Sequence, residues 1–460
     1  MADEPQNRSL QQSPSPAPRS RSTALLPAAL PLVALGAISL ITGNPLVPGV
    51  NPAPSAATAP AVAGSPAPVP LLATNHPVDW WVAYKFNSSS FPGNDADPGR
   101  GCAFGGTVQH GSYSQKYAVA SSINPVLTDG PGLIGSSPAD PLGATFAQIY
   151  NGKYRFVTWN DQFYGDPARK AAHCDGQQCG SPWGHSKGIL AWNDAGVGMV
   201  LQVTTPSWPG AGSASHPRKD GNTLGCVTDN NIENAQDFFA LRLNRDDVKV
   251  VLHALAMASV STDVANAQIV QSGADGTRPA DDIDTLVVSL GRISKEKTYL
   301  DAQLSSGVRL IAKPSELHVP PWQFVSSVLG GEPLLTATWW AYPTITSTRN
   351  AADVHCWDAS LPTPPGEVDV ALAGTWNTVP VTFTGGPNHA KIGVSLPGSQ
   401  HRYAIFGDLN QQGQLGGTAS SRCDSSQNGR GGMFFVIDNA ALANGIAPLL
   451  TGKIAPFPAG

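Results

Sequence analysis

Charge is scarce in this sequence. Asp, Glu, Lys and Arg make up 13% of its 460 residues, and the acids outnumber the bases by 33 to 28. A formal charge of −5 leaves no basic footprint at neutral pH. That argues against a high-affinity, sequence-reading DNA-binding protein, although transient contact with phosphates stays open. Long uninterrupted helical patterns are also lacking, because 48 Gly and 41 Pro punctuate the chain. Short strands and helices joined by turn-rich connections are therefore expected. Cysteine is sparse, with Cys102, Cys174, Cys179, Cys226, Cys356 and Cys423 in all. Six fit an exported protein with disulfides, in any of the roughly fifteen pairings that six cysteines allow. In "AHCDGQQC", His173, Cys174 and Cys179 offer three zinc-type ligands, but no fourth stands at the usual spacing, so no metal or other cofactor is expected. The ten histidines would move the charge from −5 to +5 if all were protonated, so an acidic compartment would reverse the sign of the surface.

Hydrophobic runs are short except near the start. Residues 1–22 are polar, and 23–43, "TALLPAALPLVALGAISLITG", contain no charge. Pro27 and Pro31 shorten the helical part of that run to about the size of a signal-peptide core, so 1–43 read as an export signal or, if retained, a membrane anchor. The Pro/Ala-rich stretch 44–74 cannot build a packed core and reads as a disordered linker. Residues 75–460 then form the folded domain of a secreted or exported protein, in halves of roughly 75–250 and 251–460.

The texture beyond residue 75 is mixed α/β (α+β). "DWWVAYKF" (79–86), "KYRFVTW" (153–159), "VGMVLQV" (197–203), "TLVVSLG" (285–291) and "RYAIFGD" (402–408) read as strands. "NIENAQDFFALRLN" (231–244), with its Asn cap, and "PPWQFVSSVLGG" (320–331), with a Pro start and a Gly stop, read as helices.

One local pattern occurs twice. "GHSKGIL" (184–190) and "NHAKIGV" (388–394) each place a His and a Lys two apart at the start of an apolar run, 204 residues from one another. In a strand, side chains two apart share a face. His185 and Lys187 would stand together, as would His389 and Lys391, with Ser186 or Ala390 turned away. If the two halves pack about a pseudo-twofold axis, one cleft receives two imidazoles and two ammonium groups. Such a cleft suits phosphoryl transfer without a metal: one His attacks, the other protonates the leaving oxygen, and the lysines hold the equatorial oxygens.

The strings "HPVDWWVAYK", "WNDQ", "GHSKGIL", "GNTLGC", "NHAKIGV", "GDLN" and "GRGG" occur in this order from residue 76 to 432. In this ordered set the chain resembles the deoxyribonuclease II family. The resemblance implies a phospholipase D-like pseudodimer of two halves, each a β-sheet flanked by helices with one HxK motif, that hydrolyses DNA in acid without a divalent cation. It implies catalytic roles for His185, Lys187, His389 and Lys391. It also implies substrate contacts from Asn410 of "GDLN", from Thr204 and Ser207 of "VTTPSWP", and from Arg430 of "GRGG"; Asp408, counted with these substrate-binding residues, reads either as orienting a catalytic His or as capping a turn. Ser207 stands where family members carry Asn. Ile392 and Gly393 stand where animal members commonly have Trp-Cys, so the disulfide pattern differs from theirs. DNA is the implied partner, and no stable protein partner is implied.

His173, His216, His253, His318, His355 and His401 lie outside the motifs and read as structural or surface residues. The aromatics of "DWWVAYK" and "ATWWAYP" read as core, with base stacking as the alternative. Two other functions use the same motifs: a phosphodiesterase acting on phospholipid, and a catalytically silent DNA-binding relative. Intact His and Lys at all four positions argue against the silent form.

Overall fold

A computed structural model describes residues 66–94, 96, 111–150, 154–162, 178–206, 208, 232–272, 280–384, 386–417 and 422–458. The expected export segment, most of the linker and Ser207, His173 and His216 lie outside the described residues. Residues 66–74, read from sequence as the end of the linker, belong to the folded body. The main chain of Val69 exchanges hydrogen bonds with the Gln148 side chain, and that of Leu71 does the same with Thr145 Oγ1.

The strands in chain order are β1 (Trp80–Lys85), β2 (Tyr117–Ser121), β3 (Asn124–Asp129), β4 (Arg155–Asn160), β5 (Lys187–Trp192), β6 (Gly198–Val203), β7 (Gln236–Leu243) and β8 (Val270–Gln271). They form one sheet in the order β3-β2-β1-β7-β6-β5-β4-β8. Then come β9 (Leu300–Gln303), β10 (Arg309–Lys313), β11 (Leu334–Ala337), β12 (Val368–Val370), β13 (Ala373–Trp376), β14 (Val379–Thr382), β15 (Ile392–Ser395), β16 (Tyr403–Gly407) and β17 (Gly432–Asp438). Seven of these make a second sheet, β12-β11-β15-β16-β17-β10-β9, while β13 and β14 form a separate hairpin. The central strands of the two sheets repeat one topology: β1-β7-β6-β5-β4 in the first and β10-β17-β16-β15-β11 in the second, antiparallel throughout.

Both faces of these sheets are covered, which explains why their strands read as almost continuous apolar runs. Inward-facing Val82, Leu190 and Leu241 share one core with Leu310, Ile392, Phe406 and Phe435, and the rings of Phe239 and Phe406 stack 5.2 Å apart. Trp81, Ile189 and Phe238 point the other way, onto helix α1 (Pro141–Tyr150). The second sheet buries Ile311, Ile405 and Phe434 in the same fashion against Trp322 and Phe324. Those two belong to the expected helix at 320–331, observed over Pro321–Val328.

Two expected secondary-structure elements also fail. The expected helix at 231–244 is not formed by its described residues, 232–244: Phe238 and Ala240 pack on one side of β7, while Phe239, Leu241 and Leu243 pack on the other. A strand inserted between β1 and β6 must be apolar on both faces, and this hid its period of two. Residues 285–291 are not a strand. A capping box of Asp281 and Asp284 starts a short helix, Asp282–Val287, in their place. The helix Arg245–Met257, also opened by a capping box, fills the space beside both sheets and ends under the site described next.

Candidate active site

The HxK pairs stand at the mouths of two strands rather than inside them. Lys187 is the first residue of β5, and Lys391 immediately precedes β15. Each histidine is anchored on the opposite sheet: the His185 N–H donates to Gly431 O (2.9 Å), and the His389 N–H donates to Ala235 O (2.8 Å). Two glycines allow this close approach. A Cβ on Gly184 or on Gly431 would lie 2.4 or 2.2 Å from the carbonyl oxygen of Ala258, the C-cap of the helix beneath.

His185, Lys187, His389 and Lys391 line one cavity of about 230 Å³. Thr204, Asn410, Gln162 and Trp339 share the lining, and no carboxylate is among its described residues. His185 Nδ1 is 2.7 Å from the carbonyl oxygen of Asp408, which can only accept, so Nδ1 carries a proton and Nε2 is the nitrogen left to react. His389 Nε2 is 3.1 Å from the Asn234 side-chain amide, and its Nδ1 is 3.4 Å from that of Gln236. The Trp339 ring lies 5.7 Å from the His389 ring.

The two lysines differ. Lys187 is paired at 2.5 Å with Asp161, a fully buried carboxylate whose other oxygen takes a 2.7 Å bond from Arg430. Burial by itself would raise the Asp161 carboxyl, but Lys187, His185 and Arg430 hold it far below the usual carboxylate range. Lys391 has no carboxylate ion pair among the described residues. Its ammonium donates to the carbonyl of His389, and its backbone N–H donates to Asp237 Oδ1. Burial, reinforced by Lys187, pushes Lys391 down to about 7, while burial raises Asp237 to about 7 and Asp408 to about 6. Both histidines are pushed well below the ordinary imidazole value, first by burial and then by the nearby lysines.

Of the other residues singled out from sequence, Thr204 and Asn410 are at the cavity. Thr204 Oγ1 bonds the Gln236 side chain, and Asn410 Nδ2 donates to Gln412 while its Oδ1 has no hydrogen-bond partner among the described residues. Asp408 lies behind the cavity: its backbone oxygen orients His185 and its carboxylate accepts from Met433 N. Arg430 is buried with its guanidinium bonded to Asp161 and to the carbonyls of Trp183, Cys179 and Gly184. Its contacts are with protein, where a phosphate contact had been expected. His253, His318 and His355 are exposed, and His401 pairs with Asp438 at the surface. Trp339 of "ATWWAYP" lines the cavity, although it was read as core. Asp161, Asn234 and Gln236 were not singled out at all. The string "WNDQ" carried Asp161 and Gln162, but nothing in it pointed to Lys187. Cys356 and Cys423 form a disulfide, and Cys179 is also disulfide-bonded.

Residues 71–451 match the deoxyribonuclease II family. Over 163 residues the chain is 29% identical to Deoxyribonuclease-2-alpha of the pig, Sus scrofa. That stretch is 34% of this chain and 38% of the pig protein, so it spans about two fifths of the relative's length.

Proposed function

Because the chain belongs to the deoxyribonuclease II family, we propose that it is an endonuclease that hydrolyses DNA phosphodiesters in acid, through its two histidines and without a metal ion. The observation that carries this reading is the convergence of His185, Lys187, His389 and Lys391 on one cavity. Cations line the cavity where a two-metal nuclease needs carboxylates.

In the proposed reaction one imidazole Nε2 attacks phosphorus and the P–O5′ bond breaks. The other histidine, protonated, gives its proton to the departing O5′. Water then attacks the phosphohistidine, its proton returns to the second histidine, and the products carry 3′-phosphate and 5′-hydroxyl ends. Lys391, free of any carboxylate ion pair among the described residues, supplies charge to the equatorial oxygens together with Lys187, which Asp161 holds in place. Asn410 and Thr204 are the neutral polar groups of the lining, and Trp339 offers a face for a base. The reaction needs one neutral and one protonated imidazole. With both pushed below the ordinary value, the protonated one exists mainly in acid. An exported chain in an acidic compartment would also carry a more positive surface, which favours the approach of DNA.

The test is digestion of supercoiled plasmid at mildly acidic pH in excess chelator, followed by analysis of the ends. His185→Ala and His389→Ala should each lower nicking by several orders of magnitude, and the two losses should not add. Ends bearing 5′-phosphate, or a folded His variant with near-normal activity, would end this reading. Hydrolysis of phosphatidylcholine but not plasmid would replace DNA by phospholipid, and plasmid binding without nicking would make the chain a silent relative.

A further inference from the structure

Two lysines outside the cavity occupy equivalent places in the repeated topology. Lys85 ends β1 and Lys313 ends β10, and both are wholly buried. Lys85 is paired in register with Gln236, the first residue of β7, and Lys313 with Gly432, the first residue of β17. Neither has a carboxylate ion pair among the described residues. Each ammonium instead donates to three main-chain carbonyls. For Lys85 these are Phe86 (3.1 Å), Ser114 (2.9 Å) and Ile232 (3.1 Å). For Lys313 they are Pro314 (3.4 Å), Asn428 (2.8 Å) and Arg430 (3.0 Å).

What these carbonyls belong to gives the lysines a purpose. Ile232 lies three residues ahead of Ala235, whose carbonyl holds the His389 N–H, and Asn428 lies three residues ahead of Gly431, whose carbonyl holds the His185 N–H. The segment beyond Ile232 also carries Asn234 and Gln236, which contact the His389 ring. The segment beyond Asn428 carries Arg430, which binds the carbonyls of Trp183 and Gly184 just ahead of His185. In both halves an ammonium ties down one segment of its own sheet, and that segment braces the reacting histidine of the other sheet. An ammonium has three donors and satisfies three carbonyls at once, which no neutral aliphatic side chain can do.

On the reading of the chain as a two-histidine nuclease, we propose that Lys85 and Lys313 are a matched pair of positioning residues. Lys85 sets the placement of His389 and Lys313 that of His185, each across the junction of the two sheets. Neither touches the substrate. Their effect is on the alignment of Nε2 with the phosphorus, where a displacement of about 1 Å can cost on the order of 10²-fold in rate.

The experiment compares the full chain with Lys85→Met, Lys313→Met and Leu252→Ala, the last a buried position of the helix Arg245–Met257 that does not line the cavity, at a temperature where circular dichroism shows all four folded. Each Lys variant should lose about 10²-fold in kcat for plasmid nicking with KM changed only a few-fold, while Leu252→Ala keeps its kcat within about twofold. Histidine ring titration by NMR gives a readout independent of activity. Each lysine is tied to the segment that braces one histidine, so Lys85→Met should disturb the His389 ring signals and midpoint more than those of His185, and Lys313→Met the reverse. Should the Met variants not fold, Lys85→Gln and Lys313→Gln, which keep two donors, are measured in the same way and should show a smaller loss of kcat. Loss of kcat no greater than in Leu252→Ala, or ring signals of each histidine that respond no more to its own lysine than to the other, overturns the proposal. If the wild-type chain does not nick DNA, the nuclease reading fails and the titration alone decides the positioning role.

Discussion

Replacing Asp161 by Asn removes the counter-ion shared by Lys187 and Arg430 while keeping the shape of the side chain. The carboxylate is fully buried, and the side chains of Lys187 and Arg430 are only 3% and 6% exposed, so neither cation can recover hydration. Breaking a buried ion pair from one side costs about 3–5 kcal/mol. A folded body of roughly 390 residues unfolds with an entropy of about 0.8 kcal/mol/K, so the melting temperature should fall by about 4–6 °C. Activity should fall as well. Asp161 is the main group that keeps Lys187 charged against burial, and without it the ammonium is both less favoured and free to turn. Loss of one charge-stabilising donor corresponds to roughly 10²–10³ in rate. Thermal melts and plasmid nicking in chelator measure the two effects separately. Arg430→Met and the double variant complete the cycle. In Asp161→Asn most of the cost comes from Arg430 and Lys187 left unpaired, so removing Arg430 too should return at least about 1 kcal/mol. An unchanged melt in Asp161→Asn, with additive losses in the double variant, would refute the claim that this carboxylate holds the lysine.

Lys391 is pushed down to about 7, so as pH rises through that value its positive charge is lost, and the protonated histidine has already gone at lower pH. The rate should therefore peak in mild acid and decline above about pH 7, and a plateau reaching pH 9 would contradict the assignment of Lys391. Trp339→Ala removes the ring beside His389 and should raise KM by roughly 5- to 100-fold, the worth of one stacked base, with a smaller change in kcat; steady-state kinetics on oligonucleotides measures this. A form starting at Asn75 loses the bonds of Val69 and Leu71 to the helix at Pro141–Tyr150, about 1 kcal/mol each, and should melt below a form starting near residue 60, which keeps them.

Much of the chemistry was legible in the chain itself. The HxK pattern stands out because it repeats, and two copies in matching contexts carry information that one would not. Strands such as Trp80–Lys85 and Tyr403–Gly407 were legible as compact apolar runs between turn residues. What escaped was decided by partners far off in sequence. Lys187 finds Asp161 26 residues away, Arg430 finds the same carboxylate at 269, and Lys313 finds Arg430 O at 117. No local pattern encodes such pairings: Lys187 meets Asp161 where β4 pairs with β5, Lys313 meets Arg430 where β10 pairs with β17, and Arg430 meets Asp161 only where the two sheets come together. Burial then changes what each residue is worth: an aspartate that would be a solvated turn residue becomes the counter-ion of two cations, and a strand-end lysine becomes a cap for three carbonyls. The same cause explains the misread strand Gln236–Leu243. Its residues obey an alternation, but whether the second face meets water or a helix is settled only when α1 packs over it. The residue types and their spacing thus determined which chemistry was available. Packing decided which of those groups are held, which are charged, and which face the cavity, because the desolvation that shifts them exists only in the folded state.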